Sequence, residues 1–137
     1  MTKNAIISVS NKENLERLTT FLFQKSYSIY STGGTYSRIK EIITDLEEKG
    51  VIGYGNVNKI SSLTGFPEIL GGRVKTLHPL VYGGLLADPS KDEHTLDMNT
   101  NKLEYFSLVV VNLYPFQNTV ASHPDDIPLC IENIDIG

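Results

Sequence analysis

A single cysteine, Cys130, rules out an intrachain disulfide in this 137-residue chain and accords with a reducing compartment. The thiol is either a nucleophile or a packed apolar group, and the neighbours in Pro128-Leu129-Cys130-Ile131 favour packing. Long hydrophobic runs are also missing. Asn4 to Val9 and Leu108 to Val111 fall far short of the roughly 20 residues that span a bilayer, and no signal-like apolar region follows Met1. A soluble cytoplasmic protein is expected, with no membrane partner. Excess positive charge is absent: a net charge of −4 gives no general attraction to nucleic acid, so any anion must be held by local geometry. The three histidines, His78, His94 and His123, lack metal-ligand spacing, and no metal is implied. Neither a Gly-x-Gly-x-x-Gly string nor a Walker lysine follows the Gly33-Gly34 pair.

What is present is a concentrated loop. Gly72-Arg73-Val74-Lys75-Thr76-Leu77-His78-Pro79 follows Thr64-Gly65-Phe66-Pro67-Glu68 and sets two cations, a hydroxyl and an imidazole between prolines. Arg73 offers a planar fork for phosphate or carboxylate. Lys75 is a compact charge that can exchange a proton if its pKa is lowered. His78, a loop histidine before proline, is structural as readily as catalytic.

The chain alternates short strands and helices. Asn4 to Val9 reads as a strand, and Ser10-Asn11-Lys12-Glu13 has the capping-box pattern for a helix that carries Leu15, Leu18 and Leu22 to about Lys25. Tyr27 to Ser31 is a second strand, ending in Thr32-Gly33-Gly34-Thr35. The next helix places Ile39, Ile42, Ile43 and Leu46 on one face and stops at Gly50. Val57 to Ile60 and Leu85 to Ala87 read as further short strands, and Ser90 to Asn101 as an exposed loop with one helical turn. Leu108 to Val111 reads as a strand buried on both faces. Short helices follow near Gln117 to Ala121 and from Pro128. This pattern predicts an α/β fold of one domain, a parallel sheet covered on both faces, with its ligand beyond the carboxyl ends of the strands. Ser10-Asn11-Lys12, Thr32 to Thr35 and Asn112-Leu113-Tyr114 all fall there. The Gly-Gly turn is either merely a turn or a cradle whose N–H groups and hydroxyls face an anion; with Arg73, Lys75 and Lys12 beside it, the reading is a monophosphate site. Asp135 taken alone reads as a solvated charge near the chain end.

Six segments carry a resemblance: Ser8 to Lys12, Ser31 to Thr35, Thr64 to Glu68, Gly72 to Pro79, Asn112 to Phe116 and Ile134 to Gly137. In this order they resemble the inosinate (IMP) cyclohydrolase domains of bifunctional purine-biosynthesis enzymes, with Arg73-Val74-Lys75-Thr76-Leu77-His78-Pro79 the most specific string. The resemblance implies a methylglyoxal-synthase-like fold, a purine-nucleotide substrate, no cofactor and a homodimer. It further implies a hydrolase-class enzyme that closes the second purine ring, converting the formamidoimidazole carboxamide ribotide (FAICAR) to inosine monophosphate (IMP). Carried over, Ser10, Asn11, Lys12, Thr32, Gly33, Gly34 and Thr35 would bind nucleotide, as would Arg73, Val74 and Thr76. Val111, Asn112 and Ile136 would lie beside them. Lys75, Tyr114, Asp135 and Gly137 would surround the reacting groups. A non-catalytic nucleotide-binding regulatory domain of the same fold is the alternative; methylglyoxal synthase itself would leave the strings around Arg73 and Tyr114 unexplained.

Two departures from the family stand out. Positions 36–63 are longer than usual, with extra helix around Asp45 to Lys49, and are expected to lengthen a surface connection only. The family also continues past the position of Gly137 with another glycine, a helix bearing a further catalytic lysine, and a formyltransferase domain. Residues 1–137 are therefore expected to form one cyclohydrolase domain truncated at its C-terminal end, without the formyltransferase.

Overall fold

The computed structural model describes residues 3–134, so Asp135, Ile136 and Gly137 lie outside the described residues. Its elements are β1 (Asn4–Ser8), α1 (Leu15–Gln24), β2 (Ser28–Ser31), α2 (Gly33–Glu48), β3 (Asn56–Lys59) and α3 (Ile60–Thr64). They continue with α4 (Pro79–Leu86), α5 (Asp92–Thr100), β4 (Leu108–Val111), α6 (Phe116–Ser122) and α7 (Ile127–Glu132). The four strands form one parallel sheet in the order β3-β2-β1-β4. From β1 the chain builds outward through β2 and β3, then crosses to the other side of β1 for β4. The strand order therefore reverses between β1 and β4, where α/β sheets open a ligand crevice.

Side-chain alternation divides the core in two. Ala5, Ile7 and Ile29 point to one face, where Leu15, Leu22 and Phe23 of α1 and Ile39, Ile42, Ile43 and Leu46 of α2 cover them. Full burial of each large side chain in this layer contributes about 1.5–3 kcal/mol. On the other face Ile6 and Tyr30 meet Ile60 of α3, Val81 of α4 and Phe106; the Tyr30 and Phe106 rings meet edge to face at 5.6 Å. The result is a three-layer α/β arrangement, as the alternating pattern predicts.

The end of α2 shows how its stop is built. Gly50 takes φ 72°, its N–H donates to Glu47 O at 3.0 Å, and the Val51 N–H donates to Leu46 O at 2.9 Å. These are the paired bonds of a Schellman ending, which needs a residue free to adopt positive φ.

Several sequence expectations are corrected. The Ser10/Glu13 capping box does not form: the Glu13 N–H is taken by Asn11 Oδ1 at 2.9 Å, and Asn14, left-handed at φ 62°, delays the helix to Leu15. Ile60 begins α3 and does not end a strand. Leu85-Leu86 belong to helix α4, not to a strand. His78 starts that helix by accepting the Leu80 N–H on Nδ1 at 3.1 Å, with Pro79 in the first turn. Ser90 to Asn101 is no loop: α5 forms there, with Asp92 and Glu93 in its positive first turn and Met98 buried. Leu108 to Val111 is an edge strand with one open face, Val109 being 46% and Val111 65% exposed. Cys130 is half-buried, its Sγ 3.5 Å from the His123 carbonyl oxygen.

Candidate functional site

A cavity of about 570 Å³ opens at the carboxyl ends of β1, β2 and β4, on the side of the sheet that carries Ile6. That volume lies within the roughly 300–1,000 Å³ typical of small-molecule sites. It brings together Ser10, Lys12, Thr32, Gly34, Thr35, Arg73, Lys75, Thr76, Val111, Asn112 and Tyr114. Asn11, Gly33 and Val74 are expected site residues that do not line it. No lining residue comes from positions 36–70, so the long connection leaves the cavity alone.

The loop after β1 is held from across the crevice. Asn112 Oδ1 accepts the Ser10 N–H at 2.6 Å and the Asn11 N–H at 3.3 Å, while Asn112 Nδ2 donates to Asn11 O at 2.8 Å. Lys12 folds back over this loop, donating from Nζ to Val9 O at 3.2 Å and Ser10 O at 3.3 Å. A Cβ on Gly34 would stand 3.7 Å from Lys12 Cε and 3.9 Å from Nζ, so the ammonium lies beside the opening turn of α2. Cation and helix N-terminus are both positive. Their juxtaposition is unfavourable alone and favourable around a bound anion.

The hydroxyls of the Thr32 to Thr35 turn have hydrogen-bond partners within the protein. Thr32 and Ser8 share a hydroxyl hydrogen bond of 3.2 Å, and the Thr35 hydroxyl both accepts from the Val9 N–H (3.3 Å) and donates to Val9 O (3.0 Å). They bind the strand ends together, while the first turn of α2 presents backbone N–H groups that an α-helix leaves without intrahelical acceptors. Of these, the Gly33 N–H donates to Glu68 Oε1 at 3.0 Å.

The cationic loop is braced by its own tight turn. Ile69 and Val74 exchange backbone hydrogen bonds of 3.2 and 3.3 Å around Leu70, Gly71 and Gly72, all at positive φ. Val74 is thus a brace, and its neighbours Arg73 and Lys75 reach the cavity. Arg73 is ion-paired with Glu132 of α7 and donates to Leu70 O at 3.3 Å. Lys75 Nζ donates to Tyr114 Oη at 3.4 Å, which joins the loop to the segment after β4. Glu68 and Glu132 are partners that sequence reading left unassigned. The α4 residues Val81, Tyr82 and Leu85 form a further wall, hidden from sequence reading because Gly83-Gly84 interrupts the helical pattern.

Among the described residues no helix is long and apolar enough to cross a membrane. The MGS-like domain family matches residues 14–137. The bifunctional purine biosynthesis protein PurH of Staphylococcus aureus strain Newman is 48% identical over 135 residues, 98% of this chain, and the PurH of strain N315 matches to the same extent. The chain spans 25% of the length of these curated relatives. A crystal structure of ForH is similar at a TM-score of 0.67 and 28% identity, covering 99% of this chain and 63% of that one. The stretch matched by the first of these takes in every cavity-lining residue from Thr32 onward, and the chain belongs to the MGS-like domain family.

Proposed function

We propose that the cavity binds a purine nucleotide and that the chain is an IMP cyclohydrolase, closing the formamido carboxamide ribotide to inosine monophosphate. The carrying observation is that one cavity has two separate polar poles. Lys12 beside Gly34 forms one, and the hydrogen-bonded Lys75–Tyr114 pair forms the other. A phosphate-binding module needs the first pole only. The resemblance to PurH over nearly the whole chain supports the same reading.

In this reading the phosphate sits at the start of α2, against the Gly34 and Thr35 N–H groups and Lys12, with the base toward Val111 and Asn112. Ring closure forms a bond from the carboxamide nitrogen to the formyl carbon. The tetrahedral carbinolamine then loses its oxygen as water, the protons coming from the attacking and formamido nitrogens. Lys75, oriented by Tyr114, handles the proton of the carboxamide, a poor nucleophile. Asp135 and the Gly137 N–H, outside the described residues, would address the formyl oxygen as negative charge develops on it. No cofactor enters. The reading includes a cytoplasmic homodimer, for which exposed Ile127 and Leu129 on α7 offer apolar surface.

The test is to mix the purified chain with the formamido ribotide and follow inosinate by ultraviolet absorbance, with Lys75→Ala alongside. Turnover by the wild type that falls about 100-fold or more in the variant is expected. Inosine monophosphate binding should change by no more than about threefold. Binding without turnover would leave a nucleotide-binding domain and remove the catalytic claim.

A further inference from the structure

Glu68 is an exposed side chain with an unusual attachment. Its Oε1 accepts the N–H of Gly33, the first residue of the 16-residue helix α2, from 35 positions away. The local residue that would ordinarily cap this helix, Thr32, makes no side-chain cap; its hydroxyl is shared with Ser8. A carboxylate from the neighbouring loop has taken over the capping task, at the positive end where it is favoured.

The other carboxylate oxygen also lies near the cationic loop. Oε2 lies 3.8 Å from where a Cβ on Gly72 would stand, and Lys75 Cε lies 3.0 Å from the same point. Glu68 therefore sits between the first turn of α2 and the Leu70–Arg73 turn that presents Arg73 and Lys75. A hydrogen bond at Gly33 fixes the relative position of the two walls, one carrying Lys12 and Gly34, the other Lys75.

We infer that Glu68 is a positioning residue of the nucleotide site, tying the phosphate-binding turn to the cationic loop through the Gly33 N–H while never touching the nucleotide. This rests on the reading of the cavity as a nucleotide site. It assigns the phosphate to the Gly34 and Thr35 N–H groups and Lys12, because the Gly33 N–H is already engaged. Gly33 itself sits at φ +47°, a backbone conformation that disfavours any side chain at the capped position.

Glu68→Gln keeps a carbonyl acceptor at the same reach, whereas Glu68→Asp keeps the charge and shortens the reach by one methylene. In the ligand-free protein, Gly33 amide exchange measured by NMR should stay slow in the wild type and the Gln variant and quicken in the Asp variant. By calorimetry, inosine monophosphate affinity should fall about tenfold in the Asp variant and stay within about threefold in the Gln variant. Inosine, lacking the phosphate, should lose less. Wild-type binding that the Asp variant leaves unchanged overturns the positioning role alone. Binding that tightens tenfold in the Gln variant overturns it too, by making the carboxylate a competitor of phosphate. A wild type with a protected Gly33 amide and no inosinate binding removes the nucleotide reading itself, and this inference with it.

Discussion

Asn112 and Ser10, 102 positions apart in the chain, meet in a short backbone-to-side-chain bond, the Ser10 N–H donating to Asn112 Oδ1 at 2.6 Å. With its two bonds to Asn11, the Asn112 amide uses both its oxygen and its nitrogen to hold the loop after β1 against the end of β4. It clamps the crevice at the point of strand reversal and holds the loop that carries Lys12. Replacing it with alanine removes both acceptor and donor from a solvent-accessible network, a loss of about 1 kcal/mol per net hydrogen bond at most. Asn112→Ala is therefore expected to lower unfolding stability in urea by about 1–2 kcal/mol. Inosine monophosphate affinity should fall with it, whereas a mere base contact would cost affinity and leave stability alone.

Arg73 faces a choice of anions. Its guanidinium is paired with Glu132, both side chains being about half exposed, so the pair itself contributes little, about 0–1 kcal/mol. If Arg73 reaches across the cavity to the nucleotide phosphate of the proposed reading, that phosphate competes with Glu132 for the fork. Glu132→Gln should thus tighten inosine monophosphate binding by about threefold, with the gain shrinking as salt is raised. Arg73→Ala should weaken it. Calorimetry at two ionic strengths reads both, and an unchanged affinity in the Gln variant would mean that Arg73 remains turned to α7 when ligand binds.

The parts of the fold legible in the sequence are those where one local pattern points to one answer. Ile39, Ile42, Ile43 and Leu46 have helical spacing, Gly50 supplies the left-handed stop, and the branched apolar runs after Asn4 and at Leu108 to Val111 read as strands of a parallel sheet. Misreadings occur where a tertiary partner overrides local preference. Ser10 and Glu13 match a capping box, yet Asn112, distant in sequence, takes the Ser10 N–H and the box is lost. Leu85-Leu86 resembles a strand until the His78 cap and Pro79 set a helix in motion. Val109 and Val111 read as doubly buried because β-branched runs mark parallel strands, but an edge position beside a cavity leaves one face open. The partners of Glu68 and Glu132 carry no local signature: each acts on a residue at least 35 positions away.

Asp88 gives the chain a pH-dependent feature at the joint between α4 and α5. The Ser90 hydroxyl, donating at 2.7 Å, and then the Ser90 N–H at 2.9 Å hold the carboxyl below its ordinary value; the His94 imidazole adds a smaller pull in the same direction. Because the folded value is depressed, the stabilisation is present above the unfolded carboxylate value and is lost as pH falls through the folded one. Ser90→Ala removes the leading cause and should raise the Asp88 titration toward the ordinary value, as read by carboxyl-carbon NMR. The variant should correspondingly lose less stability on acidification than the wild type does. Unchanged titration in the variant would mean that the backbone N–H alone holds the charge.

Gly84 sits inside α4, where glycine is ordinarily a cost, and the reason is close approach of the chain segment before β4. A Cβ at this position would lie 2.1 Å from Glu104 O and 2.6 Å from the Phe106 ring, and the Gly84 carbonyl also accepts the Phe106 N–H at 3.1 Å. Backbone cannot retreat as a flexible side chain can, so Gly84→Ala forces α4 away from the segment that leads into β4. Overpacking of this kind costs about 1–3 kcal/mol, more than the gain of up to about 1 kcal/mol in helix propensity. Because Val81, Tyr82 and Leu85 of α4 wall the cavity, the displacement should also weaken nucleotide binding. The neighbouring Gly83→Ala is a control of a different kind: the atoms nearest its Cβ would be those of the Leu103 side chain, at 2.6 Å, which can turn aside. A lower unfolding midpoint and weaker inosinate binding in Gly84→Ala, with a smaller change in Gly83→Ala, are expected. Equal effects would assign the cost to leucine packing and take away the argument from backbone contact.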